Sequence, residues 1–125
     1  YYIGENLAAR GDEFAARLRA QTGATAAQAK AEVEASVARL FSYAAWADKW
    51  DGAVHNVPIR GVALQMNEPI GVVAVAAPDE APLLGFISAV APLVATGNAV
   101  VVVPSFLNPP SATEIYTVLE SSDLP

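Results

Sequence analysis

The sequence predicts an α/β fold: N-terminal helices and a hairpin, followed by the first βαβα of a parallel sheet. Three observations carry this. Ile70 to Ala77 is a short apolar run between Pro69 and Pro78, β-branched at Ile70, Val72, Val73 and Val75 and without polar alternation. Such a run reads as a strand covered on both faces, as in parallel sheets. Ala99 to Val103 is a second all-apolar run, closed by Pro104. Between them lies a helical stretch to about Thr96, with Pro82 in its first turn, where a missing N–H matters little. Strand, helix and strand in that order imply a right-handed crossover and parallel pairing, so the sheet is Rossmann-like.

The remaining elements follow from local signals. Ile3 to Ala20 has Ile3, Leu7, Phe14 and Leu18 on one side and Arg10, Asp12, Glu13, Arg17 and Arg19 largely on the others, which predicts one amphipathic helix with a solvated charged face. Gln21, Thr22 and Gly23 break it. Thr25 with Gln28 forms a capping box for a longer helix, in which Val33, Val37, Leu40, Phe41 and Ala44 make the buried stripe. Tyr43, Trp46 and Trp50 extend that apolar surface and are read as core or interface. Asp51 and Gly52 turn the chain into a hairpin of Ala53 to Val57 and Val62 to Asn67, joined across Pro58, Ile59, Arg60 and Gly61. Its Val54, Val57, Val62 and Leu64 are more apolar than a free ribbon tolerates, so it is expected to pack on another domain or subunit. Asp79 is placed to cap the crossover helix, and Pro92 to bend it, because it cannot donate to the Ser88 carbonyl. Gly97 and Asn98 are expected to supply left-handed backbone at its end. After the loop from Phe106 to Pro110, Ser111 is placed to cap a last helix to about Ser121, with Ile115, Val118 and Leu119 inward. Asp123, Leu124 and Pro125 resemble the approach to a further strand. Three parts result: helices in 1–52, the hairpin in 53–67 and a truncated half sheet in 68–125.

Composition narrows the function classes. The chain has 125 residues, 54% of them hydrophobic, enough for one real core, and it runs from Tyr1 to Pro125 as a piece of a longer chain would. A formal net charge of −6 argues against nucleic acid, whose phosphates need clustered Lys and Arg. With no cysteine there is no disulfide, thiolate metal site or cysteine nucleophile within these residues, and the compartment leans to the cytoplasm. His55, the one histidine, has no second ligand nearby, so no metal site is expected. Asp79, Glu80 and Pro82 interrupt the longest apolar run, so neither a membrane span nor membrane binding is expected and the protein is read as soluble.

Several motifs occur in a telling order: Glu68-Pro-Ile-Gly-Val-Val, Pro78, Pro82-Leu-Leu, Ala91-Pro-Leu-Val-Ala-Thr-Gly97-Asn98, a valine run and Pro104-Ser105. Upstream are Thr22-Gly23 between helices, Tyr43-Ala-Ala-Trp-Ala-Asp-Lys and Asp51-Gly52 before the hairpin. Together they resemble the first part of the cofactor domain of the aldehyde dehydrogenase superfamily, over essentially all 125 residues. The resemblance implies that the fold is aldehyde dehydrogenase-like and that the hairpin belongs to an oligomerisation element. It also implies NAD- or NADP-dependent oxidation of an aldehyde to a carboxylic acid, and a partner that is a second copy or another aldehyde dehydrogenase module.

The departures from the family pattern are as informative. Where the family has Pro-Trp-Asn, with the Asn donating to a developing oxyanion, this chain has Pro78-Asp79-Glu80. An ionised carboxylate at Glu80 would accept rather than donate. Where the family has Lys-Pro-Ser-Glu holding the adenosine ribose, this chain has Val103-Pro-Ser-Phe106, so both ribose contacts are lost. That leaves Pro78, Asp79, Pro104 and Ser105 as the candidates for cofactor contact, and no catalytic residue within the chain. In the family pattern the catalytic cysteine, the general-base glutamate and the glycine-rich pyrophosphate turn lie beyond Pro125. A retained scaffold with lost site chemistry resembles the degenerate second module of tandem aldehyde dehydrogenases. Beside that reading stand an ordinary active enzyme with an unusual cofactor loop, and a binding or scaffold protein that kept only the fold.

Overall fold

A computed structural model describes residues 1–123, including all their side chains except those of 109–113. Three helices come first: α1 (Tyr2–Ala9), α2 (Gly11–Thr22) and α3 (Ala26–Trp46). A two-stranded antiparallel ribbon of β1 (Ala53–His55) and β2 (Ala63–Gln65) follows. Then come β3 (Val72–Ala76), the crossover helix α4 (Pro82–Ala95), β4 (Ala99–Val103) and α5 (Pro109–Glu120). The pair β3–β4 is parallel, with Val72 opposite Ala99 and Ala76 opposite Val103, as the punctuated apolar runs predict.

The single N-terminal helix expected from Ile3 to Ala20 is in fact two. Arg10 leaves helical geometry at φ −104° and ψ 17°, and Gly11, a poor helix former, starts the second segment. The Arg10 guanidinium is drawn aside to Glu13 and to the Thr117 hydroxyl, 2.8 Å away in each case. Both segments still bury the expected side: Leu7, Phe14 and Leu18 are in the core. The Thr25–Gln28 capping box forms at α3, the Thr25 hydroxyl accepting from the Gln28 amide at 3.3 Å and Gln28 Oε1 accepting from the Thr25 amide at 2.9 Å. α3 then contributes Ala29, Val33 and Leu40 to one apolar cluster with Leu83, Phe86, Ile87 and Val90 of α4 and Ile115 and Val118 of α5.

The helices lie on one face of the β3–β4 pair. Val100 and Val102 pack against the core cluster while Val101 and Val103 are exposed, and the same alternation runs along β3. The expectation of a strand covered on both faces therefore fails among the described residues, because α4 is the one crossover they contain. Pro92 lies inside α4, which continues to Ala95. Gly97 takes the left-handed conformation at φ 82°, whereas Asn98 does not. Asn98 instead uses its side chain: Oδ1 accepts from the Gly71 amide at 3.1 Å and Nδ2 donates to the Leu93 carbonyl at 3.2 Å, tying the start of β4 to the start of β3 and to the end of α4.

The ribbon is shorter than its sequence suggests and its apolar residues are exposed, Val54, Val62 and Leu64 among them. Gly52 is required where the chain enters it, since a Cβ there would overlap the Gln65 carbonyl oxygen. The last helix begins at Pro109 with Asn108 in the capping position, so Ser111 falls inside it rather than before it. The Ser111 side chain, and the residues Leu124 and Pro125 of the expected strand approach, lie outside the described residues.

Ionic contacts clamp α5 to α2. Glu13 pairs with Arg10 at 2.8 Å and with Arg17 at 2.6 Å, and Arg17 reaches Glu114 of α5 at 2.6 Å. The Arg10 hydrogen bond, aided by the charges of Arg10 and Arg17, holds the Glu13 carboxyl below its usual pKa against a smaller opposing effect of desolvation. A lowered carboxylate pKa adds stability that is complete above the unfolded value, about 4.3, and is lost as pH falls through the folded value. The destabilisation caused by Glu13→Gln in the full-length protein is thus expected at neutral pH and should diminish as pH falls below the unfolded value of about 4.3. Urea unfolding across that range checks this; a difference that does not change with pH would remove the carboxylate from the account.

Candidate functional site at the ends of the parallel strands

In open α/β sheets the ligand crevice lies beyond the carboxyl ends of the strands. Here that region is built by the exit loops of β3 and β4. The ladder runs to its end with the Ala77 amide donating to the Val103 carbonyl at 2.9 Å, and Pro78 and Pro104, lacking N–H groups, then stop the pairing. Pro78 lies over Gly85 of α4 so closely that any Cβ at 85 would overlap its ring. This seats the β3 loop on the helix. The loop reaches α4 through Ala81, a non-glycine residue held left-handed at φ 43°.

Asp79 does not cap α4. The capping residue is Ala81, two positions on, and it makes no side-chain bond. Glu32, half-buried on α3, does that work instead: its Oε1 accepts from the Leu83 amide at 2.9 Å and the Leu84 amide at 3.2 Å. Since Pro82 has no N–H and the Gly85 amide donates to the Ala81 carbonyl at 2.7 Å, the first turn of α4 is satisfied internally. A carboxylate of the chain itself sits at the positive end of the helix dipole.

Asp79 turns the other way, toward the β4 loop. Its Oδ1 accepts from the Ser105 hydroxyl at 2.6 Å and from the Leu107 amide at 3.5 Å, and its carbonyl accepts from Asn108 Nδ2 at 3.2 Å. Ser105 Oγ in turn accepts from the Asn108 amide at 3.0 Å. Of the sequence candidates, Pro78, Asp79, Pro104 and Ser105 are thus brought together, but Ser105, only 3% exposed, is turned inward. Glu80 is exposed. Val103 is 61% and Phe106 91% exposed, so an apolar shelf stands where a ribose clamp needs donors and acceptors.

Charge distribution reinforces this. All seven Lys and Arg lie in residues 1–60 beside seven Asp and Glu, whereas residues 61–125 hold six Asp and Glu and no basic residue. The whole formal charge of −6 therefore resides in the half that carries the crevice. Residues 61–125 therefore offer no Lys or Arg to a phosphate or a ribose hydroxyl. Glu32 and Asn108 are the site residues that sequence reading missed. Asn108, just before Pro109, carried a capping signal that could have been read; Glu32 looked like one more polar position on an amphipathic helix.

Comparison with known proteins places these features. A profile of the aldehyde dehydrogenase family matches residues 1–125. An aldehyde dehydrogenase of Agaricus bisporus is 30% identical over 126 aligned positions, which take in 100% of this chain and 25% of that protein. Among solved structures, a double mutant of betaine aldehyde dehydrogenase from Staphylococcus aureus in complex with NAD+ superposes with a TM-score of 0.93 at 26% identity, over 99% of this chain and 25% of that one. The glyceraldehyde-3-phosphate dehydrogenase GapN of Methanocaldococcus jannaschii complexed with NADP gives 0.86 at 27% identity, over 99% and 28%. The chain spans about a quarter of the length of the curated relatives it matches. Among its described residues no helix is long and apolar enough to cross a membrane.

Proposed function

The chain belongs to the aldehyde dehydrogenase family, and from that premise we propose that the protein containing it carries out NAD- or NADP-dependent oxidation of an aldehyde to a carboxylic acid, with this stretch serving as a structural module whose own crevice does not hold the dinucleotide productively. The observation that carries the second half is the residue set at the strand ends: exposed Val103 and Phe106 where the family pattern has a lysine and a glutamate, in a half-chain without a single basic residue. Hydrogen bonds to charged groups contribute about 1.5 to 3 kcal/mol each, so losing two weakens binding by about a hundredfold or more. Glu80, standing where that pattern has an oxyanion donor, adds an acceptor in its place.

Aldehyde-dependent formation of NADH or NADPH by the full-length protein tests the first half. For the second, hydrogen exchange resolved to residues 99–108 is followed while NAD or NADP is titrated into the full-length protein. No protection is expected at this strand end, whatever happens elsewhere in the chain. The continuous parallel β3–β4 ladder favours the rival reading of an ordinary active crevice, and saturable protection at micromolar dinucleotide would establish that rival.

The exposed ribbon, with Ile59 and Met66 added to its valines, supports a second copy or another aldehyde dehydrogenase module as partner. The same preparation run by sedimentation decides it; a single-module protein that stays a monomer with the ribbon open to solvent removes the proposal.

A further inference from the structure

We propose that Asp79 is a positioning residue that acts as a built-in ligand for the β4 exit loop, engaging the donors that an external oxygen would otherwise meet. The proposal rests on the reading of this crevice as one that does not hold a dinucleotide, and it adds a cause beyond the missing clamp. The Ser105 hydroxyl and the Leu107 amide both point at Asp79 Oδ1, at 2.6 and 3.5 Å. The Ser105 distance is that of a charge-assisted O–H to carboxylate bond. Asn108 closes the arrangement from both of its nitrogen donors, its amide to Ser105 Oγ at 3.0 Å and its Nδ2 to the Asp79 carbonyl at 3.2 Å. Four donors of a four-residue loop are therefore committed to two residues of the chain. With Ser105 drawn inward, Phe106 is left on the outside as the side chain that an arriving molecule meets.

Replacing the apolar shelf alone therefore leaves the loop tied back. Val103→Lys with Phe106→Glu is expected to raise NAD affinity only slightly while Asp79 is present, and at least about tenfold further when Asp79→Ala is added. Removing a negative charge would also favour an anionic cofactor, so the discriminating variant is Asp79→Asn. Its side-chain carbonyl can still accept from Ser105 and Leu107, but it carries no charge.

The experiment is NAD titration of the full-length protein carrying the double substitution, alone and combined with Asp79→Ala or Asp79→Asn, read by hydrogen exchange at residues 99–108. Exchange at the Leu107 and Asn108 amides without NAD is the second readout. In otherwise unchanged protein it should accelerate about tenfold in Asp79→Ala and in Ser105→Ala, show no further increase when the two are combined, and stay near the starting rate in Asp79→Asn. Equal gains in NAD affinity from Ala and Asn would reduce the effect to charge and overturn the proposal. Unchanged exchange in Asp79→Ala would overturn it as well. Micromolar NAD protection in the unsubstituted protein would instead defeat the reading of the crevice, and the exchange comparison would still judge the latch.

Discussion

Replacing Glu32 by alanine is expected to destabilise the full-length protein by about 2 to 3 kcal/mol, an unusual amount for a half-exposed carboxylate on a helix flank. Its Oε1 is the acceptor for two adjacent amides at the start of α4, and Leu83, which owns one of them, is fully buried. Both bonds are partly buried, so the variant loses two charge-assisted bonds and leaves the Leu83 and Leu84 amides with incomplete access to water. Glu32→Gln keeps an acceptor oxygen and should cost about 1 kcal/mol. Urea unfolding of both variants checks the order. A midpoint for Glu32→Ala within error of the parent protein would mean that α4 draws nothing from α3 at this point.

Gly85→Ala is expected to cost about 1 to 3 kcal/mol through overpacking, and to disturb the crevice as well as the fold. The added methyl would overlap the Pro78 ring and stand 3.3 Å from the Glu80 carbonyl oxygen, neither of which is the free end of a flexible side chain. The β3 loop must therefore lift off α4, carrying Asp79 away from Ser105. The expected signature is loss of stability together with faster exchange at the Leu107 amide, some twenty positions along the chain from the substitution. Destabilisation without that exchange change would show the loop yielding on the helix side alone.

The features legible in the sequence are those whose physics is local. The capping box at Thr25 and Gln28 involves neighbours, and β3 and β4 are delimited by prolines that end pairing wherever they stand. The Asp79 error shows where local reasoning stops. A carboxylate three residues before a proline has the composition of a helix cap, but α4 starts at Pro82 with Ala81 as its cap, leaving Asp79 out of reach, and the amides are taken by Glu32, 51 residues before Leu83. Likewise, of the features at the Arg10 break, Gly11 and Glu13 are local, but the bond from Arg10 to Thr117 lies in no window around the first helix. The sheet was read as covered on both faces because its valines are apolar on both sides. That reading concerns what the strand can tolerate, whereas burial requires a second layer that these residues do not supply.

The hydrogen bond from Asn6 Nδ2 to Ser122 Oγ, 2.9 Å long, joins α1 to the end of α5 across 116 positions. During synthesis at roughly 5 to 20 residues per second, about 6 to 23 s separate the emergence of these two partners from the ribosome. For that interval the side of α1 and α2 that α5 covers stays open, and Arg10 and Arg17 wait without Thr117 and Glu114. The nascent chain thus passes through a state in which an apolar helical face is open to any chaperone that meets it, and variants that weaken the α2–α5 clamp prolong the exposure without touching the crevice.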